Sequence, residues 1–130
     1  MNAPGRKAPR RQRLSRSSEF DRVYREGRSH ANRYLVVHAF PRPNDREEAR
    51  LGVSVGRKVG GAVERNRVKR LLREVFWKEA DRLPDGHDFV IVARPDAGGL
   101  ARERGETGLA EALAEALAGA GLSSGRDGPE

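Results

Sequence analysis

The segment AVERNRVKRLLREVFWKEADRL, residues 62–83, decides how the chain folds. Val68, Leu71, Leu72, Val75 and Phe76 fall at i, i+3, i+4, i+7 and i+8, and Ala80 and Leu83 extend the series. That spacing puts one apolar face on an α-helix. Pro84, Asp85 and Gly86 end it. Upstream, Leu51, Val53 and Val55 alternate with Gly52, Ser54 and Gly56. This predicts a strand whose second face carries small side chains, leaving room for a packed neighbour or a bound ligand. Downstream, Phe89-Val90-Ile91-Val92-Ala93 is an unbroken apolar run, as expected of a central strand buried on both faces. The fold class expected is α+β.

Further out, residues Tyr34 to Phe40 are rich in β-branched and aromatic side chains and predict another strand, broken by Pro41, Pro43, Asn44 and Asp45. Phe20, Val23 and Tyr24 predict a short helix, with Ser18 as its cap, Asp21 as the reciprocal partner and Gly27 as its stop. Residues 95–108 read as a polar, glycine-rich connection. Leu109, Leu113 and Leu117 then mark an alanine-rich acidic helix that Gly119 and Gly121 terminate. Residues 1–12 mix Pro, Gly, Arg and Lys without periodicity and are expected to be a disordered basic arm. Residues 13–121 are expected to form a single domain, and 122–130 a flexible tail.

The 130 residues carry 26 lysines and arginines against 19 acids, a net charge of +7. Residues 1–73 hold 20 of the bases and 7 of the acids, and residues 74–130 the remaining 6 and 12. The N-terminal portion, at +13, should therefore seek a polyanion. With no cysteine, disulfides, thiolate metal sites and a cysteine nucleophile are excluded. No apolar run approaches the roughly 18 residues of a membrane span. The acid-free first 18 residues superficially suit a transit peptide, yet Pro4 and Pro9 interrupt any amphipathic helix there. Cytoplasmic residence is the expectation.

The long helix opens with Arg65, Asn66, Arg67, Lys69, Arg70 and Arg73, bracketed only by Glu64 and Glu74. An ordinary solvated face mixes both signs, because like charges at i, i+4 repel. Such repulsion is relieved when phosphates neutralise the helix, which points to nucleic acid. Gly56-Arg57-Lys58-Val59-Gly60-Gly61 precedes it without the GxxxxGK[ST] spacing of a nucleotide-hydrolase loop. It is a connection into a helix N-terminus that can face phosphate. A DNA-reading helix would need a helix and tight turn before it, whereas the preceding segment reads as a strand.

Protein-based catalysis has little to work with. His30, His38 and His87 lack metal-ligand spacing, and no serine sits in a nucleophile-elbow context. Phe20 and Tyr24 can be core or a platform for unpaired bases, and His38 is either a half-buried strand residue or a further platform. No catalytic residue and no metal ligand is expected on this chain.

Arg65-Asn66-Arg67 with Lys69-Arg70 and Arg73-Glu74, after Gly52-Val53-Ser54-Val55 and Lys58-Val59-Gly60, resembles the signature of the bacterial ribonuclease P protein component. The resemblance runs from Arg13-Leu14 through Phe20, Val23-Tyr24 and Gly27 to Asp88 and the Phe89–Arg94 strand, covering roughly residues 13–95. It implies a sandwich of a mixed sheet and helices with a left-handed βαβ crossover, against the usual hand. It also implies a protein subunit of an endoribonuclease that removes the 5′ leader of precursor tRNA, with a large RNA and its magnesium ions doing the chemistry. No cofactor is implied on the protein itself. Carried over residue by residue, Arg57, Lys58, Arg65, Asn66, Arg67, Lys69, Arg70 and Arg73 would meet the catalytic RNA. Arg13, Phe20, Tyr24 and His38 would line the cleft for the single-stranded leader. His38 stands where some relatives place an aromatic, and Gly56-Arg57-Lys58 departs from the more usual Ser-Lys-Lys, keeping charge but losing a hydroxyl. The other expectation from the residues alone is a non-catalytic RNA-binding protein, such as a ribosomal protein or assembly factor.

Overall fold

The computed structural model describes residues 12–14, 17–42, 49–79, 82–84 and 86–122. Within them the elements run β1 (Gln12–Arg13), α1 (Ser17–Glu26), β2 (Arg28–Ala31), β3 (Leu35–Pro41), β4 (Arg50–Val55), α2 (Ala62–Glu79), β5 (His87–Ala93) and α3 (Ala97–Gly119). The strands form one mixed sheet in the order β1-β4-β5-β3-β2. β1, β4 and β5 are parallel, while β3 is antiparallel to both β5 and β2. Adjacent parallel strands need a crossover, and α2 supplies it between β4 and β5.

Side-chain alternation sorts the sheet into two faces. Leu35, Val37 and Ala39 of β3, Leu51 and Val55 of β4, and Phe89, Ile91 and Ala93 of β5 point into the main core. There they meet Val68, Leu71, Leu72, Val75 and Phe76 of α2 and Leu109, Leu113 and Leu117 of α3. Phe76 and Phe89, both fully buried, stand 5.2 Å apart between their ring centroids. Truncating such a side chain to alanine costs about 3–5 kcal/mol. On the opposite face a smaller cluster joins Leu14, Val23 of α1 and Val90 of β5. The continuous apolar run in β5 is thus explained by helices on both sides of it. Among the described residues α1 covers only part of its face, and Val36, His38 and Val92 on that face are half-buried.

The α2 stripe behaves as its spacing predicts, except that the helix ends at Glu79. Leu83 is nevertheless buried, while residues 80 and 81 lie outside the described residues. Ser18 is not a cap: α1 starts at Ser17, so Ser18 lies inside the first turn. Gly27 does stop the helix, its N–H donating to Val23 O at 3.0 Å. The segment expected as a connection over 95–108 is helical from Ala97, with a break at Gly105 (φ 55°, ψ −140°). β1 and β2 were not expected. The basic arm and the tail fall outside the described residues, apart from Gln12, which belongs to β1, and Leu122, which is buried.

Candidate nucleic-acid interface

On the α1 face of the sheet, the small residues Gly52 and Ser54 of β4 face the helix. A side chain at Gly52 would collide with Phe20, whose Cζ would be 2.5 Å from the new Cβ. The space left by the small-residue face is therefore filled by a packed neighbour at Gly52. One turn along α1, Tyr24 stands 6.3 Å from Phe20 between ring centroids and meets the edge of His38 at 4.8 Å and 81°. Burial and the charge of Asp21 raise the Tyr24 pKa, and a hydrogen bond with the Ser54 side chain opposes them. Burial alone lowers the pKa of His38, so the neutral imidazole is favoured beside that ring. Phe20 is half-buried, but Tyr24 keeps 40% of its surface exposed. Phe20, Tyr24 and His38 are thus brought together, with Tyr24 the most exposed of the three.

Arg13 does not join them. It pairs in register with Leu51, which faces the α2 core, while the next residue, Leu14, turns into the α1 cluster. Arg13 consequently lies on the α2 side of the sheet edge, where its charge, after burial, helps lower the pKa of Arg73. The physical reason is the period of two along a strand: one residue of the pair supports the cleft and the other faces away from it.

The other cations occupy the solvent side of α2 and the turn before it. Arg57, Lys58, Asn66, Arg67 and Arg70 are exposed, and Arg65, Lys69 and Arg73 half-buried. Among the described residues, none of these cations forms an ion pair. Arg67 Nη1 donates to Ala101 O at 3.3 Å, and the Nε of Arg65 is buried without a hydrogen-bond partner. Acids instead border the patch. Lys78 pairs with Glu106, and Glu64 with Arg102 at 3.0 Å. Glu64 also accepts the Gly61 N–H at 3.3 Å. The N-terminus of α2 therefore carries its own carboxylate, and the uncompensated positive charge lies on the side chains further along. Val63, 82% exposed, lies on the same strip as Asn66, Arg67 and Arg70.

Sequence reasoning passed over the ionic group beside these rings, on the same face of the sheet. Asp88, fully buried on β5, accepts from Arg50 Nε and Nη2 at 2.8 Å each and from Arg42 Nη1 at 2.6 Å, with Arg22 Nη2 at 3.6 Å. Arg50 Nη1 continues to Glu19 of α1 at 3.0 Å. An aspartate opening an otherwise apolar central strand was the available signal, because a buried carboxylate requires cationic partners.

The three histidines stay apart: His30 against Gly119, His38 in the cleft and His87 stacked on Phe89. Among the described residues no group of three or more His, Cys, Asp or Glu is placed to hold a metal, and no helix is long and apolar enough to cross a membrane.

A family model described as ribonuclease P matches residues 8–117. The ribonuclease P protein component of Bacillus pumilus is 42% identical over 100 residues, covering 77% of this chain and 83% of that protein. The Clostridium acetobutylicum protein of the same name is 44% identical over 87 residues, covering 67% and 73%. Among solved structures, the Staphylococcus aureus RNase P protein superposes with a TM-score of 0.75 at 30% identity, over 86% of this chain and 97% of that one. The Thermotoga maritima protein does so at 0.69 and 33%, over 81% and 94%.

Proposed function

The chain belongs to the ribonuclease P protein family, the protein subunit of a tRNA-processing endoribonuclease, and we propose that it serves that enzyme through two separate RNA surfaces. The basic face of α2 grips the catalytic RNA, and the cleft between α1 and the sheet takes the unpaired 5′ leader of precursor tRNA. Family membership decides against the ribosomal or assembly-factor reading and implies association with ribonuclease P RNA.

Arg57, Lys58, Arg65, Arg67, Lys69, Arg70 and Arg73 supply charge to the first surface, and Asn66 an amide that can both donate and accept. Structured RNA offers phosphates and 2′-hydroxyls at fixed spacing, which a rigid helix face can match by shape. Arg13 sits with this group, at the edge that separates it from the cleft. In the second surface, Tyr24 offers an exposed ring held by His38 and Ser54, and Phe20 sets its depth over Gly52. Stacking on such rings contributes about 1–3 kcal/mol per base without demanding a sequence, which suits leaders of varied sequence.

Phosphodiester hydrolysis belongs in this reading to the RNA subunit and its magnesium ions. The chain binds and orients, and by holding the leader it raises substrate affinity and the affinity for those magnesium ions. The observation that carries the proposal is the exposed Tyr24 ring in edge contact with His38 on the α1 face of the sheet. The test is reconstitution with a catalytic RNA subunit and labelled precursor tRNA. Phe20→Ala with Tyr24→Ala should weaken binding of leader-bearing substrate and spare mature tRNA. Equal losses for both would remove the leader from this cleft.

A further inference from the structure

We propose that Asp88 is a positioning residue that sets α1 over the sheet and so fixes the geometry of the leader cleft, an inference that rests on the leader-binding reading. Asp88 stands in register between Phe40 of β3 and Arg50 of β4, on the α1 face of the sheet and one step along from the row of His38, Val90 and Gly52. Its carboxylate gathers guanidinium groups from three places: Arg42 after β3, Arg50 on β4 and Arg22 on α1. Two limbs of this group reach α1. Arg22 approaches Asp88 Oδ2 at 3.6 Å while its guanidinium lies over the Phe40 ring at 4.9 Å. Arg50, held by both carboxylate oxygens, donates onward to Glu19 at 3.0 Å.

Apolar contact alone would hold α1 to the sheet without fixing its azimuth, since the α1 cluster is small: Leu14, Val23 and Val90, with Phe20, Phe40 and Val92 at its margin. Hydrogen bonds to a buried carboxylate are directional, and registry is the best-attested use of buried charge. Glu19 and Arg22 lie one and two residues from Phe20, and Arg22 two from Tyr24. A rotation of α1 that broke either limb would carry both rings off Gly52 and Ser54.

Glu19→Ala separates positioning from simple electrostatics by sign. Removing an acid beside an RNA site strengthens RNA binding if charge is all that matters. If Glu19 acts through Arg50, its loss weakens binding of leader-bearing precursor tRNA to the reconstituted ribonucleoprotein. The expected loss is about twofold to fivefold, within the range of a partly exposed ion pair. Mature tRNA affinity, assembly with the RNA subunit and the salt slope of leader binding should not change. Asp88→Asn, if folded by circular dichroism, should reproduce the selective loss more strongly. Unchanged or tighter leader binding in Glu19→Ala overturns the inference, as does an equal loss for mature tRNA. Phe20→Ala with Tyr24→Ala is assayed in parallel. A selective effect there with none in Glu19→Ala rejects Asp88 positioning alone, whereas no selective effect in either rejects the cleft.

Discussion

The ring of Phe20 rests against the backbone of Gly52, so that a Cβ there would stand 2.5 Å from Phe20 Cζ, 2.8 Å from Cε1 and 3.3 Å from Leu14 Cβ. This contact joins α1 to β4 and sets the floor of the cleft. Gly52→Ala forces the half-buried ring to move within a packed cluster, at a cost of about 1–3 kcal/mol. Gly56→Ala, with nothing within 4 Å, should change stability by less than about 0.5 kcal/mol. Urea denaturation compares the two. Gly52→Ala should also weaken leader-bearing substrate more than mature tRNA, and an intact preference would separate the Phe20 contact from cleft geometry.

The α2 face yields a prediction about assembly. Arg65→Glu and Arg70→Glu should weaken association with the RNA subunit, and Arg70→Ala should lower the magnitude of the log K against log salt slope by about 1. Arg104 is the control, because Glu111 already holds it at 2.5 Å on α3. Arg104→Ala should leave both assembly and slope unchanged. Filter binding across a salt series reads all four variants, and unaltered assembly in both reversals would remove α2 from the interface.

These two surfaces were unequally legible in the sequence. The α2 stripe was readable because its apolar period is regular and its cations lack acidic neighbours. Phe20 and Tyr24 were readable as a pair on one helix face, but not their seating on Gly52 and Ser54, which depends on a strand about thirty residues away. β2 escaped notice because Arg28, Ser29, His30 and Ala31 show no alternation and form a strand through backbone pairing with β3. The start of α3 was hidden by Gly98 and Gly99, which argue for a loop by propensity. Packing overrides that propensity at Gly98, where a side chain would sit 2.3 Å from Val59 O. Arg13 was carried over from the family resemblance alone, which says nothing of strand alternation, and in the fold it pairs with Leu51 while Leu14 packs in the α1 cluster.

Titration of His38 gives a prediction with a definite sign. Burial lowers its pKa below the usual 6.5, so the unfolded chain binds its proton first as pH falls. The contribution of neutral His38 to stability is whole above pH 6.5 and is lost progressively below it, through the lowered folded value. His38→Phe keeps an aromatic partner for Tyr24 and cannot titrate. Urea midpoints of the two proteins between pH 7.5 and 5 should therefore diverge, the parent losing more stability than the variant. Parallel midpoints would mean that His38 protonates as freely folded as unfolded.

The break in α3 makes the last prediction. Gly105 adopts φ 55° and ψ −140°, so the helix that begins at Ala97 is interrupted and resumes in a new direction. Lys78 of α2 pairs with Glu106 immediately after the break, and Arg104 immediately before it reaches Glu111. A Cβ at Gly105 would meet nothing within 4 Å, so crowding is not the issue. Backbone strain is, because this region is essentially restricted to glycine and costs other residues about 1–3 kcal/mol. Gly105→Ala should destabilise by that amount, whereas Gly56→Ala, exposed and with open space around it, should be close to neutral. Thermal unfolding measures both. If Gly105→Ala is instead neutral or stabilising, α3 prefers to run straight, and the break is set by its packing on α2 rather than by the glycine.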